Sequence, residues 1–90
     1  MKSVEINITG YVQGVGFRYF VYQNANHLGL NGFVKNLIDG SVFIRVEGDI
    51  QNIEQLIKLV SKGPQRSLVR NCNVKNVEYL GIYNRFIIDK

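Results

Sequence analysis

The chain has 90 residues, 46% hydrophobic and 20% charged, with a formal net charge of +4 at pH 7. That balance fits one small globular domain with a modest core and excludes a disordered or membrane-spanning chain. Cys72 and His27 are each the only residue of their kind, which excludes an internal disulfide and a Cys/His metal site, and the scattered Lys and Arg form no basic run.

The amino terminus, MKSVEINITG, has no apolar stretch of signal-peptide or membrane-spanning length, so a cytoplasmic protein is expected. Val4, Ile6 and Ile8 alternate with Glu5, Asn7 and Thr9, the period of a half-buried strand ending near Gly10. After a glycine-containing loop, Phe17, Phe20, Val21, Ala25 and Leu28 recur at helical spacing, which predicts a helix over Phe17 to Leu28 stopped by Gly29. Gly32 to Leu37 and Ser41 to Glu47 read as two antiparallel strands, joined through Ile38 and the Asp39-Gly40 pair of a tight hairpin. Asp49 is placed to cap a second helix with the apolar face Ile53, Leu56, Ile57 and Val60, ended by Gly63 and Pro64. A strand from Arg70 to Tyr79 and a short run from Arg85 to Ile88 complete the chain. The order βαββαβ, with a small extra strand, predicts a ferredoxin-like α+β sandwich: one domain over residues 1–90, with two helices on one face of an antiparallel sheet.

The loop GYVQGVGFR, Gly10 to Arg18, carries the functional signal. Gly14 and Gly16 free the backbone to turn consecutive N–H groups onto an oxyanion, and the helix that follows adds the positive end of its dipole. Arg18 supplies a permanently charged fork that can hold two phosphoryl oxygens, and a cation in the first turn of a helix itself calls for an anion nearby. In a split βαβ unit the first two strands run parallel with the third between them, so Asn36 at the end of the second is carried to the same sheet edge as the loop. Backbone amides, one Arg and one Asn can hold a phosphoryl group and a water but cannot do demanding acid/base work. That equipment suits a mixed carboxylic-phosphoric anhydride, whose leaving carboxylate needs no proton.

GYVQGVGFR resembles the first signature of the acylphosphatase family, and GFVKNLIDGSV, Gly32 to Val42, with Gly48 following, resembles the second. The resemblance covers most of the chain. It implies hydrolysis of acyl phosphates, with Arg18 binding the substrate, Asn36 orienting the attacking water, and Gln13, Gly14, Val15, Gly16 and Phe17 forming the phosphate loop. It also implies no metal or organic cofactor. No partner beyond a small-molecule acyl phosphate is expected, no nucleic acid or membrane among them, and a monomer is the default. Leu37 and Ser41 stand where many members carry a hydroxyl residue and threonine, and Asn71, Asn73 and Asn76 give the fourth strand an unusual polar character.

Two alternatives use the same fold: a catalytically silent phosphate-binding domain and an RNA-binding module. The third strand, SVFIRVE, lacks the aromatic block of an RNA recognition motif. Tyr19 at the third glycine position excludes a dinucleotide fingerprint, and no Gly-Lys-Ser/Thr follows the turn to make a Walker loop. His27 reads as a helix-end surface residue, and Cys72 as a strand residue rather than a nucleophile.

Overall fold

The computed structural model describes residues 1–90. Its elements are β1 (Lys2–Tyr11), α1 (Phe17–His27), β2 (Asn31–Asn36), β3 (Val42–Gly48), α2 (Ile50–Lys62), β4 (Leu68–Val77) and β5 (Phe86–Ile88). Each predicted element is present, with ends that shift by a few residues.

The strands form one sheet in the order β4-β1-β3-β2-β5. β3 lies antiparallel between β1 and β2, so those two run parallel and end at the same edge, as the split βαβ reading requires. β5 departs from the expectation of an antiparallel sheet. It pairs in parallel with β2, matching Gly32 with Phe86 and Val34 with Ile88, so the sheet is mixed. Its terminal residues therefore reach the same edge as the ends of β1 and β2.

Alternation in β1 sends Val4, Ile6 and Ile8 under the helices, where each is at most 2% exposed. Val34 of β2 and Val42, Ile44 and Val46 of β3 join them, and the helices answer with Phe17, Val21 and Ala25 of α1 and Ile53, Leu56 and Val60 of α2. Each fully buried aliphatic side chain contributes roughly 1.5–3 kcal/mol of transfer free energy. Phe86 of β5 fills the same core, which gives a three-residue strand its hold on the sheet.

The helix ends follow their local chemistry. Leu30 N–H donates to Ala25 O and Gly29 N–H to Asn26 O, the paired bonds of a Schellman motif, with Gly29 at φ 70°. The Asp49 carboxylate accepts from Gln51 N–H at the start of α2.

β1 runs past Gly10 to Tyr11 because its register with β4 slips between Thr9 and Gly10 and then continues to Leu68. That early start explains why β4 begins before Arg70. β4 stops at Val77 because the chain then leaves the sheet edge to meet a buried carboxylate. Glu47, 2% exposed, accepts from the N–H groups of Leu80 (2.9 Å) and Gly81 (3.1 Å). Arg45 lies between Glu5 (3.2 Å) and Glu47 (3.6 Å) and donates to Glu78 O (2.7 Å). This charge cluster anchors the segment that carries the chain from β4, on one edge of the sheet, to β5 on the other.

Candidate active site

The β1–α1 loop needs left-handed backbone at two positions, Gly14 (φ 76°) and Gly16 (φ 79°). Space is not the reason. A Cβ at either position would meet nothing within 4 Å, so the requirement for glycine is conformational. Gly16 caps α1 without any side-chain hydrogen bond. The first-turn amides of a helix have no intrahelical acceptor, and no turn, loop or cap backbone bond takes a donor from Gly14, Val15 or Gly16. Several N–H groups at this bend are therefore left to a ligand.

A cavity of about 260 Å³ opens beside the loop, and Gly14, Gly16, Phe17, Arg18 and Asn36 all line it. The sheet edge thus brings Asn36 to Arg18 across the sequence gap, as the topology predicts. Both ion pairs in the protein belong to Arg45, so no carboxylate neutralises the Arg18 guanidinium. Asn36 Oδ1 is buried and has no hydrogen-bond partner. An acceptor left in that state costs about 1–3 kcal/mol.

Two expected loop residues do not line the cavity. Val15 is 7% exposed and belongs to the hydrophobic core. The Gln13 side chain turns to the β2–β3 hairpin, where Nε2 donates to Leu37 O (2.8 Å) and Ser41 O (2.9 Å). Leu37 N–H donates to Ser41 O and Gly40 N–H to Leu37 O, so Gln13 ties the loop to an already closed turn. Asp39 stiffens that turn by accepting from Ser41 N–H (3.0 Å) and Ser41 Oγ (2.6 Å). The Ser41 hydroxyl and then its amide hold the Asp39 carboxyl below its ordinary range. Asn7 Nδ2 donates to the same hydroxyl at 3.2 Å, linking the turn to β1.

The cavity lining has four further residues that the expected site did not include: Val12, Tyr19, Ile88 and Lys90. Tyr19 follows Arg18 on α1 and stacks on Tyr22 with ring centroids 6.2 Å apart. Ile88 and Lys90 arrive through the parallel pairing of β5, for which a three-residue strand gives no sequence signal. Cys72, whose thiol is pushed up by burial, and His27 are not part of the lining. No group of three or more His, Cys, Asp or Glu side chains gathers into a metal-binding cluster, and no helix is long and apolar enough to cross a membrane.

Fold and loop together define a ferredoxin-like α+β protein with an oxyanion-shaped strand-to-helix bend. The Acylphosphatase family model matches residues 4–88. An acylphosphatase of Caldanaerobacter subterraneus subsp. tengcongensis is 46% identical over 87 residues, 97% of each chain. The crystal structure of acylphosphatase from Bacillus subtilis covers all of both chains at 38% identity with a TM-score of 0.96. An acylphosphatase structure from Coxiella burnetii matches at 32% identity and a TM-score of 0.93, over 98% of this chain and 92% of that one. The chain belongs to the acylphosphatase family, hydrolases acting on the acid anhydride of acyl phosphates. The silent and RNA-binding alternatives are not favoured by these relatives.

Proposed function

We propose that this acylphosphatase works with Arg18 and the amides of the Gly14–Phe17 bend on the phosphoryl oxygens and with Asn36 on the water. The water oxygen bonds to phosphorus as the bond from phosphorus to the acyl oxygen breaks, and that electron pair leaves on the carboxylate. The Asn36 side-chain amide hydrogen-bonds the water and holds its lone pair in line, while the water's proton leaves with the inorganic phosphate. The Arg18 fork and the backbone dipoles offset charge that builds on the equatorial oxygens, a preorganised contribution that needs no side-chain rearrangement. A carboxylate leaves without protonation, so no general acid is required.

The observation that carries this reading is that Asn36, whose Oδ1 is left without a partner, lines the same cavity as the unpaired Arg18. One domain acting as a monomer supplies every group named. The test is hydrolysis of benzoyl phosphate with EDTA present, by wild type and by Asn36→Ala prepared identically. Turnover should survive chelation and fall roughly a hundredfold or more in the variant, with inorganic phosphate still inhibiting competitively. Unchanged turnover in Asn36→Ala would remove that residue from the mechanism.

A further inference from the structure

We infer that Tyr19, held from behind by Tyr22, is the residue that selects the acyl group, and that it favours acyl phosphates whose carbonyl bears a planar aromatic ring. The inference rests on the phosphoryl assignment proposed above and extends it to the other end of the substrate. The loop glycines, Arg18 and Asn36 account for the phosphoryl group. Of the rest of the lining, Val12 and Phe17 are each 1% exposed and belong to the core, so the acyl group meets Tyr19 of α1 and the tail of β5.

The direction of the Tyr19 ring follows from its place on the helix. Long side chains on an α-helix lean back toward its amino-terminal end, so the ring of a residue two positions past Phe17 covers the first turn, where the cavity opens. Tyr22, nearly one turn further on, leans the same way and lies behind it. The two rings are stacked, with centroids 6.2 Å apart and planes inclined by 25°, within the range of an offset aromatic pair. Tyr22 packs against the hydrophobic core and is outside the cavity lining, so it is a fixed backing and not a second wall. Tyr19 is nevertheless 56% exposed: the stack covers one face of its ring and leaves the other open. An aromatic acyl group laid on that open face extends the stack to a third ring. Ile88 adds apolar surface to the same cavity, since it alternates with Phe86 and so lies on the helix side of β5, packed against the core.

The experiment measures kcat/KM for benzoyl, cyclohexanecarbonyl and acetyl phosphate, which differ in the acyl group alone. Each variant is compared with wild type on the same substrate, so intrinsic reactivity cancels. Loss of an aromatic pair predicts that Tyr19→Ala falls about threefold to tenfold on benzoyl phosphate and less on the other two, because neither a saturated ring nor a methyl group stacks. The alanine variant keeps the Tyr19 amide, so inhibition by inorganic phosphate should hold. Tyr19→Phe should keep the aromatic selectivity. Tyr22→Ala should lower the benzoyl-to-acetyl ratio without weakening phosphate inhibition, and Tyr22→Phe should restore it. A Tyr22→Ala variant that loses Tm and leaves the ratio unchanged would overturn the positioning role of Tyr22. Equal losses on all three substrates in Tyr19→Ala, or losses on benzoyl and cyclohexanecarbonyl phosphate that match, would overturn the aromatic selection. So would weaker phosphate inhibition in Tyr19→Ala, which assigns the ring to the phosphoryl end. Hydrolysis of none of the three by folded wild type would instead overturn the catalytic reading on which the inference rests.

Discussion

Gln13 offers the sharpest separation between holding the phosphate loop and touching the phosphate. Its amide makes two short hydrogen bonds, to Leu37 O and Ser41 O, and does not line the cavity. Gln13→Ala removes both. Each acceptor keeps a backbone partner, Gly40 N–H for Leu37 O and Leu37 N–H for Ser41 O, so no carbonyl is orphaned. The loss is then about 1 kcal/mol per bond, or roughly 2 kcal/mol in all. For a domain of this size that lowers Tm by about 8–16 °C. The same 2 kcal/mol limits how far the loop can drift from its binding shape, so the inhibition constant for inorganic phosphate rises by at most about 30-fold. Differential scanning calorimetry with and without phosphate reads both effects, and saturating phosphate should recover much of the lost Tm because it binds only the ordered loop. A variant with unchanged Tm and phosphate affinity weakened more than 30-fold would refute the tether and return Gln13 to direct ligand contact.

Other residues make separate predictions. Arg18→Ala should weaken phosphate inhibition as well as turnover, and Arg18→Lys should recover little of either, since an ammonium cannot reproduce the two-pronged contact; near-normal steady-state kinetics in the lysine variant would count against a bidentate role. Glu47→Ala removes the two charge-assisted hydrogen bonds from the Leu80 and Gly81 amides, while Arg45 keeps Glu5 and Glu78 O, and urea denaturation should show a loss of about 3 kcal/mol. The Asp39 carboxyl, held below its ordinary value of 3.8 by Ser41, binds fewer protons in the folded state than in the unfolded one. Its contribution is therefore fully present above pH 3.8 and is lost as pH falls through the lowered folded value. Asp39→Asn should accordingly be less stable than wild type at pH 7, by a margin that narrows in acid; a margin independent of pH would contradict the assigned hydrogen bonds.

Elements whose information is local were legible in the sequence. The alternation of Val4, Ile6 and Ile8, the helical spacing from Phe17 to Ala25, the Gly29 stop and the Asp49 cap each depend on residues a few positions apart, and each is present in the structure. The juxtaposition of Arg18 and Asn36 was also legible, because a split βαβ connection leaves β1 and β2 parallel about β3. Tertiary structure decided what depends on distant pairing. β5 is too short to state its own neighbour or direction, and its place beside β2 is set by Phe86 in the core and by the crossing segment that Glu47 holds. That placement sends Ile88 and Lys90 to the cavity and makes the sheet mixed. Gln13 and Val15 divide from their loop neighbours for a related reason. Local sequence places a residue in a loop, but whether its side chain meets the ligand, the core or another turn depends on what the fold brings against each side of the backbone.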